Sequence, residues 1–271
     1  MKLLNGIELA GYIKERQAKQ VRALRQTGHI IPQLAIIQTS DNPVIDIYVR
    51  LKKQYGKDIN VEVDVYKISQ TSIKKTIKCL NDDKKVHGII VQLPLNDMSN
   101  VKTILDSVIP EKDVDGLGEK ATLIPATPLA IIWLLAGYNI DLDYKHIVLV
   151  GHGRLVGAPL AKLWQEADLQ VIICSKNTTN LAEIVASADI IVTATGVPGL
   201  IKASMIKNGA VVVDAGTASE QGSITGDLAS DVRERDDLTI TPEKGGVGPL
   251  TVTALFDNVI QAAQKSVRTK T

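Results

Sequence analysis

The amino-acid sequence predicts an α/β protein built on parallel sheets. Short runs of apolar and β-branched residues alternate with helical patterns along the chain. Several runs are apolar at consecutive positions, as strands buried on both faces must be. The predicted strands cover residues 34–38, 61–66, 87–92, 146–151, 169–174, 189–194 and 210–215.

The strands are expected to form two sheets, because a stretch rich in turn formers, from Pro110 to Pro128, separates the third strand from the fourth. The 271 residues are enough for two domains of roughly 100–150 residues each. We therefore expect a first domain over residues 1–125 and a second, with a doubly wound parallel sheet, over residues 126–250. Apolar residues at helical spacing predict that residues 251–271 form a helix that completes the first domain.

Two helix starts are marked by a capping side chain followed by proline. These are Asn42-Pro43 and Thr127-Pro128. Proline suits the first helical position because the N–H it lacks would have no partner there. Helices are therefore expected to begin at Pro43 and Pro128, the second running to about Tyr138.

Composition excludes several classes of protein. The formal net charge is +1 and aromatic residues make up 3% of the chain, which disfavours nucleic-acid binding through a basic surface and stacked bases. Cys79 and Cys174 are too few for a disulfide framework, and both are expected to be buried thiols. His29, His87 and His146 lack metal-ligand spacing, so no metal is expected. With no apolar run typical of a signal peptide or membrane span, we expect a cytoplasmic protein.

A glycine-rich turn follows the fourth predicted strand and leads into a helix. Gly151 and Gly153 fit the dinucleotide fingerprint G-x-G-x-x-G, but the third glycine, Gly157, comes one residue late. Such a turn lets backbone amides and a helix N-terminus approach a pyrophosphate. The context favours a Rossmann-like nucleotide site, with a purely structural turn as the alternative.

The end of the next predicted strand favours NADP over NAD. NAD sites usually place an acidic residue there, whereas this chain has Ser175 and Lys176, which suit a 2′-phosphate. The alternative for Lys176 is a solvated loop lysine. The turns at Thr195 and Thr217 are expected on the nicotinamide side. The predicted cofactor contacts are Gly151, His152, Gly153, Arg154, Val156, Gly157, Ser175, Lys176, Thr195, Gly196 and Thr217.

A second group of polar residues lies in the first domain. Tyr48 and Lys52 are four residues apart on the helix that begins at Pro43, so they share one face, with a surface tyrosine beside a solvated lysine as the alternative. Gln92 ends the third predicted strand, where ligand sites form in α/β sheets. Asp113 and Asp115 alternate in the turn-rich stretch, and turn capping is the alternative for both.

Together these segments resemble one family, the bifunctional methylenetetrahydrofolate dehydrogenase/methenyltetrahydrofolate cyclohydrolases. The resemblance rests on Tyr48…Lys52, Val91-Gln-Leu-Pro-Leu, Lys112-Asp-Val-Asp-Gly, Pro125-Ala-Thr-Pro, Val156-Gly-Ala-Pro and Gly245-Gly-Val-Gly-Pro-Leu-Thr-Val, in order over nearly the whole chain. It implies two α/β domains flanking a cleft and a homodimer formed through the cofactor domains. It also implies oxidation of 5,10-methylenetetrahydrofolate with NADP and hydrolysis of the methenyl product to 10-formyltetrahydrofolate, in one-carbon metabolism.

The resemblance also implies roles for single residues. Lys52 corresponds to the catalytic lysine, Tyr48 to its partner near the folate, Gln92 to the glutamine that orients the lysine, and Asp115 to the acid that binds the pterin. The implied substrate contacts are Tyr48, Gln92, Leu93, Pro94, Asp115, Gly245, Gly246, Val247, Gly248, Pro249, Leu250 and Thr251.

The chain departs from the family pattern at several positions. Ile45 stands where a serine is usual, Lys244 where a proline is common, and His152 where many relatives have arginine. The loop after Asp115 is shorter than usual. These differences bear on cofactor preference and on the relative rates of the two activities. Two alternative hypotheses for the function remain. One is a dehydrogenase of the shikimate or amino-acid type, and the other is a nucleotide-binding regulatory protein without catalysis.

Overall fold

The computed structural model describes residues 1–220 and 223–268, in two compact units. Unit 1 comprises Met1–Ala10 and Thr127–Thr251. Unit 2 comprises Gly11–Ala126 and Val252–Thr271, of which residues 269–271 lie outside the described part, as do residues 221–222 of unit 1. Both units carry parallel sheets with helices between the strands, which confirms the α/β class.

Unit 2 is built around a three-stranded parallel sheet in the order β3-β2-β4. Its inner face packs Ala35 and Ile37 against Ile73 and Ile77 of helix α3. The elements are α1 (Gly6–Thr27, which begins in unit 1), β2 (Gln33–Gln38), α2 (Pro43–Asp58), β3 (Glu62–Lys67), α3 (Ile73–Asp82), β4 (Gly88–Val91), α4 (Val101–Leu105) and most of α8 (Val247–Arg268).

Unit 1 contains a six-stranded sheet in the order β1-β11-β8-β7-β5-β6, all parallel. A two-stranded antiparallel ribbon pairs β9 with β10. The elements are β1 (Lys2–Leu3), α5 (Ala126–Gly137), β5 (Ile147–Val150), α6 (Gly157–Glu166), β6 (Val171–Cys174), α7 (Leu181–Ser187), β7 (Ile190–Thr193), β8 (Val211–Asp214), β9 (Ala218–Glu220), β10 (Ser223–Thr225) and β11 (Thr239–Ile240).

Each sheet has a point where the strand order reverses. In unit 1 the chain passes from β5 to its neighbour β6 and then returns to β7 on the other side of β5. In unit 2 it passes from β2 to β3 and returns to β4. Ligands of open α/β sheets bind at the carboxyl ends of the strands at such points. The topology of unit 1 confirms the doubly wound sheet expected from the sequence.

All seven predicted strands are present, with ends within two residues of those expected. The additional strands β1, β9, β10 and β11 have only two or three residues each, too few to show a pattern in the sequence. Helix α2 begins at Pro43 as predicted, whereas α5 begins at Ala126, two residues before Pro128. Helix ends shift by this amount because terminal turns are only partly hydrogen-bonded.

Two sequence-based expectations were wrong. Helix α8 begins at Val247 rather than at Thr251, so most of the glycine-containing segment 245–251 forms its first turns. Burial of Val247 and Leu250 stabilises these turns, and Pro249 is tolerated in a first turn, where its missing N–H has no partner to lose. Cys79 is exposed, because the buried stripe of α3 consists of Ile73, Ile77 and Leu80. Cys174 is buried as expected.

Within residues 1–220 and 223–268, no helix combines the length and apolar character needed to cross a membrane. The same residues contain no group of three or more His, Cys, Asp or Glu side chains placed to hold a metal ion.

Candidate active site

Lys52 lies on the buried face of helix α2. Ile45, Val49 and Gly56 are buried, and Lys52 falls in the same stripe, three residues after Val49 and four before Gly56. Its side chain is therefore directed along the packed face of the helix and is only partly exposed. A lysine in this position is drawn out of water, which disfavours its charged form.

Gln92 holds the amine of Lys52. The Lys52 Nζ donates to Gln92 Oε1 at 2.8 Å, and Gln92 Nε2 donates to the Leu93 carbonyl oxygen at 3.1 Å. The backbone N–H of Gln92 donates to the carbonyl oxygen of Ile37 at 2.9 Å, which fixes Gln92 beside the end of β2. The Lys52–Gln92 pair therefore lies at the carboxyl edge of the sheet, at its reversal point.

The electrostatic environment brings Lys52 closer to its neutral form. Burial lowers the pKa of Lys52, and the negative charge of Asp115 opposes that shift. Burial raises the pKa of Asp115, an effect that Lys52 opposes and Asp113 reinforces. Gln92 accepts a hydrogen bond from the amine but carries no charge. It therefore orients the amine without the stabilisation of the protonated form that a carboxylate would give. A larger fraction of such an amine is deprotonated than of an exposed lysine, so it is suited to accept a proton.

The turn that carries Asp115 is fixed on both sides. The buried carboxylate of Asp113 accepts the backbone N–H groups of Gly116 at 3.0 Å and Gly118 at 2.8 Å. On the other side, Asn258 Nδ2 donates to the carbonyl oxygens of Val114 at 2.9 Å and Ile124 at 2.8 Å. Asp113 thus organises the turn, as the capping alternative proposed, while Asp115 interacts with Lys52.

Sequence reasoning missed Asn258, which is 1% exposed in helix α8. The available signal was a polar residue within the apolar stripe that contains Leu255 and Val259. A buried amide in such a stripe needs hydrogen-bond partners, and here it finds them on the Asp115 turn.

Tyr48 lies one turn before Lys52 on α2 and is partly buried. Burial raises the pKa of its phenol, so the hydroxyl remains a neutral donor and acceptor at physiological pH. Leu93, partly buried, and Pro94, exposed, follow Gln92. Unit 2 therefore contains the four predicted catalytic residues, with a direct hydrogen bond between two of them and an electrostatic link to a third.

The glycine turn of unit 1 packs tightly against itself. Gly151 has φ +105° and donates its N–H to the Cys174 carbonyl oxygen at 2.8 Å. A Cβ at Gly157 would overlap the Gly151 carbonyl oxygen, while a Cβ at Gly153 would meet no atom within 4 Å. Gly157 therefore still allows close packing within the turn, although it comes one residue later than in the fingerprint. Gly153 borders open space, shortly before the ten-residue helix α6 begins. This arrangement fits a dinucleotide phosphate.

The other predicted cofactor residues surround that turn or follow neighbouring strands. His152, Gly153 and Arg154 are exposed, and Val156 is partly buried. Ser175 and Lys176, both exposed, follow β6, whose last residue pairs with the last residue of β5. Thr195 and Gly196 follow β7, and Thr217 follows β8. All eleven predicted cofactor residues belong to unit 1.

Residues 245–251 also belong to unit 1. Gly245 has φ +89°, and its carbonyl oxygen accepts the Ile7 N–H at 3.1 Å. Thr251 Oγ1 donates to the Val247 carbonyl oxygen at 3.2 Å. Of this segment, only Gly245 and Gly246 precede helix α8.

Comparisons with known proteins match the chain over nearly its whole length. Residues 4–115 match a family model described as the catalytic domain of tetrahydrofolate dehydrogenase/cyclohydrolase, and residues 125–267 match its NAD(P)-binding domain. The bifunctional protein FolD of Anoxybacillus flavithermus is 36% identical over 278 residues, which cover 97% of this chain and 98% of the relative.

Two solved structures are similar over both units. The bifunctional FolD dehydrogenase/cyclohydrolase of Campylobacter jejuni has a TM-score of 0.91 and 36% identity, covering 98% of this chain and 99% of that one. The Trypanosoma brucei enzyme, solved with NADP cofactor and an inhibitor, has a TM-score of 0.91 and 29% identity, covering 98% of each chain.

Proposed function

Because this chain belongs to the tetrahydrofolate dehydrogenase/cyclohydrolase family, we propose that it oxidises 5,10-methylenetetrahydrofolate to the methenyl compound with NADP and hydrolyses that product to 10-formyltetrahydrofolate. The observation that carries the proposal is the Lys52–Gln92 pair, with a desolvated amine at the reversal point of the unit 2 sheet. Support for NADP comes from the NAD(P)-binding match and from the similar T. brucei enzyme solved with that cofactor.

Lys52 acts as the general base of the hydrolytic step. Water adds to the methenyl carbon, and Lys52 takes the proton that the attacking oxygen loses. Ring opening then breaks one carbon–nitrogen bond, as the carbinol hydroxyl loses its proton to become the formyl carbonyl and the departing nitrogen is protonated. Overall the cation gains one water and releases one proton. Gln92 Oε1 keeps the lysine amine in a fixed direction.

The oxidative step makes different demands on the chain. NADP, when bound, accepts the hydride from the one-carbon bridge of the folate. The protein's task is chiefly to hold and orient the two reactants, since no side chain has to take a proton. We assign Tyr48 and Asp115 to folate binding, with Leu93, Pro94 and residues 245–251 as further contacts.

We assign cofactor binding to the glycine turn and the strand ends beside it. Gly151, Gly153 and Gly157 shape the phosphate turn, which His152 and Val156 complete. Arg154, Ser175 and Lys176 supply the positive charge and hydroxyl suited to a 2′-phosphate. Thr195, Gly196 and Thr217 follow β7 and β8, on the opposite side of β5 from Lys176.

A direct assay tests the proposed function. The purified chain is mixed with methylenetetrahydrofolate and NADP or NAD, and absorbance is followed for reduced nicotinamide and for the methenyl compound. Reduction of NADP together with decay of added methenyltetrahydrofolate is the expected result. A chain that binds both ligands in calorimetry but turns over neither would support the regulatory alternative. A dehydrogenase of the shikimate or amino-acid type would leave the Lys52–Gln92 pair without a role.

Replacing Asp115 by asparagine is expected to move the acidic limb of the cyclohydrolase pH profile to lower pH. Asp115 raises the pKa of Lys52, so removing its charge lowers that pKa further. The base is then deprotonated at lower pH, and the acidic limb of kcat/KM reports this directly. KM for the folate should also rise, because Asp115 is assigned to pterin binding.

Glu119→Gln is the matched control for Asp115→Asn. Glu119 is an exposed acid of the same loop and pairs with Lys102 on the surface. Its replacement should leave the pH profile in place. An acidic limb that stays fixed or moves to higher pH in Asp115→Asn would contradict the electrostatic role given to this residue.

We also propose a homodimer that forms through unit 1. Strand β6 is an edge strand of the six-stranded sheet, and its Ile172 is 44% exposed. An exposed apolar edge strand is a ready surface for pairing with a second copy. Light scattering should give twice the 29.2 kDa chain mass for the unaltered protein and a single chain mass for Ile172→Lys. A monomeric unaltered protein would refute the proposal.

The cytoplasmic compartment stays a prediction from the sequence.

A further inference from the structure

Two acidic residues of unit 1, Asp214 and Asp227, lie behind the proposed cofactor turns. Asp227 is fully buried, and the side chain of Asp214 is 5% exposed. Buried carboxylates need hydrogen-bond partners to offset the loss of water. The partners of these two show how the strand ends of the sheet are held.

The Asp227 carboxylate clamps the turn that follows β7. Its Oδ2 accepts the backbone N–H of Thr195 at 2.7 Å, and its Oδ1 accepts the N–H of Val197 at 3.1 Å. The N–H groups of Thr195 and Val197 are therefore directed inward, toward Asp227, and the Val197 N–H is shared with Thr195 Oγ1 at 3.1 Å. The turn cannot offer these donors to a phosphate.

The same geometry sets the direction of two carbonyl groups. In a trans peptide the C=O points opposite to the N–H of the following residue. The carbonyl oxygens of Ala194 and Gly196 are therefore directed away from Asp227. Consistent with this, a Cβ added to Gly151 would lie 2.5 Å from the Ala194 oxygen, so that oxygen faces the end of β5. The turn thus directs the Ala194 oxygen to the end of β5, at the reversal point of the sheet, and the Gly196 oxygen away from Asp227.

Asp214 and neighbouring groups hold Asp227 in place. The Asp214 carboxylate accepts the Asp227 backbone N–H at 3.0 Å and the Gly216 N–H at 3.0 Å. Arg233 donates to Asp214 at 3.3 Å and also to the Thr241 carbonyl oxygen. A Cβ at Gly216 would overlap the Asp227 carboxylate, so only glycine fits there.

We propose that Asp227 is a positioning residue that directs the carbonyl oxygens of Ala194 and Gly196 toward the nicotinamide-riboside half of the bound dinucleotide. That half carries hydroxyl and amide N–H donors, which suit a turn that offers acceptors. Lys176 follows β6, on one side of β5, and marks the adenosine half with its 2′-phosphate. The Asp227 turn follows β7, on the other side of β5. The inference rests on the proposed cofactor site of unit 1.

Asp227→Asn tests this assignment by calorimetric titration. Asparagine keeps the shape of the side chain, but its NH₂ cannot accept an N–H, so the turn loses one of its two anchors. The Kd for NADP should rise about tenfold, the effect of one lost hydrogen bond to a charged group. The Kd for 2′,5′-ADP, which lacks the nicotinamide riboside, should change by less than about twofold, because this compound shares no contact with the turn. The far-UV circular dichroism spectrum and the melting temperature, compared with those of the unaltered protein, report whether the variant is folded.

Asp231→Asn is the control, because the exposed Asp231 accepts the Ala203 N–H at 3.2 Å at the surface and its replacement should alter neither Kd. Unchanged NADP binding in Asp227→Asn, or equal weakening of NADP and 2′,5′-ADP, would overturn the assignment. If Asp227→Asn does not fold, the affinities of the unaltered protein test the assignment. Equal Kd values for NADP and 2′,5′-ADP would show that the turn contributes nothing to NADP binding. Failure of the unaltered protein to bind either compound would instead reject the proposed cofactor site.

Discussion

Lys52→Met is expected to abolish cyclohydrolase activity while the protein remains folded and retains dehydrogenase activity. Methionine keeps the length of the side chain but cannot accept a proton. General-base catalysis contributes roughly 10²–10⁴-fold, so the hydrolytic rate should fall by at least about 100-fold. The oxidative step needs no base and should fall much less. Decay of methenyltetrahydrofolate and reduction of NADP, followed separately, measure the two effects.

Lys53→Met is the matched control for this experiment. Lys53 is the adjacent residue on α2 and is exposed. Its replacement removes a lysine charge as well, but from a position outside the buried stripe. Both activities should survive in that variant. Full hydrolysis by Lys52→Met would refute the assignment of the base, whereas equal loss of both activities would point to damaged folate binding.

The double replacement Arg154→Ala with Lys176→Ala is expected to weaken NADP binding about 100-fold, since each charged hydrogen bond contributes roughly 1.5 kcal/mol at the low end of the usual range. Affinity for NAD should change little, because NAD lacks the 2′-phosphate that these two side chains are assigned to bind. Gly151 N–H donates to the Cys174 carbonyl oxygen, which brings the turn bearing Arg154 beside the strand end bearing Lys176. Titrations with both dinucleotides measure the change in preference.

Lys162→Ala controls for the loss of surface charge, because Lys162 is an exposed lysine of helix α6 that pairs with Glu166. It should leave both affinities unchanged. Parallel losses of NADP and NAD binding in the double variant would show that the two residues act on the turn itself. Unchanged affinities for both dinucleotides would support the alternative, that Lys176 is a solvated loop lysine.

Much of this fold could be predicted because the information is local in sequence. Buried parallel strands are apolar at consecutive positions, so β5 and β7 were evident, and proline after asparagine marked the start of α2. The family resemblance, carried by motifs in order along the chain, is confirmed by the matches to both domains. The Lys52–Gln92 hydrogen bond joins residues 40 positions apart, and only the family resemblance implied it.

The features that sequence reasoning missed depend on tertiary contacts. Asn258 contacts a turn 144 residues earlier in the chain, and Asp227 anchors a turn 32 residues before it. No local period encodes such partners, and a buried polar residue in an apolar segment is the only sign. The start of α8 was misplaced for a related reason, because glycine and proline indicate a loop until the burial of Val247 and Leu250 is known.

Neither unit corresponds to one continuous stretch of chain, and this affects how the protein is made. The body of unit 2 is synthesised before Thr127–Thr251 of unit 1, whereas Val252–Thr271, including Asn258, is synthesised after it. The hydrolytic site therefore reaches its final form only after every residue of unit 1 has been translated. A prematurely terminated product would lack the helix that fixes the Asp115 turn, so partial chains are not expected to consume folate.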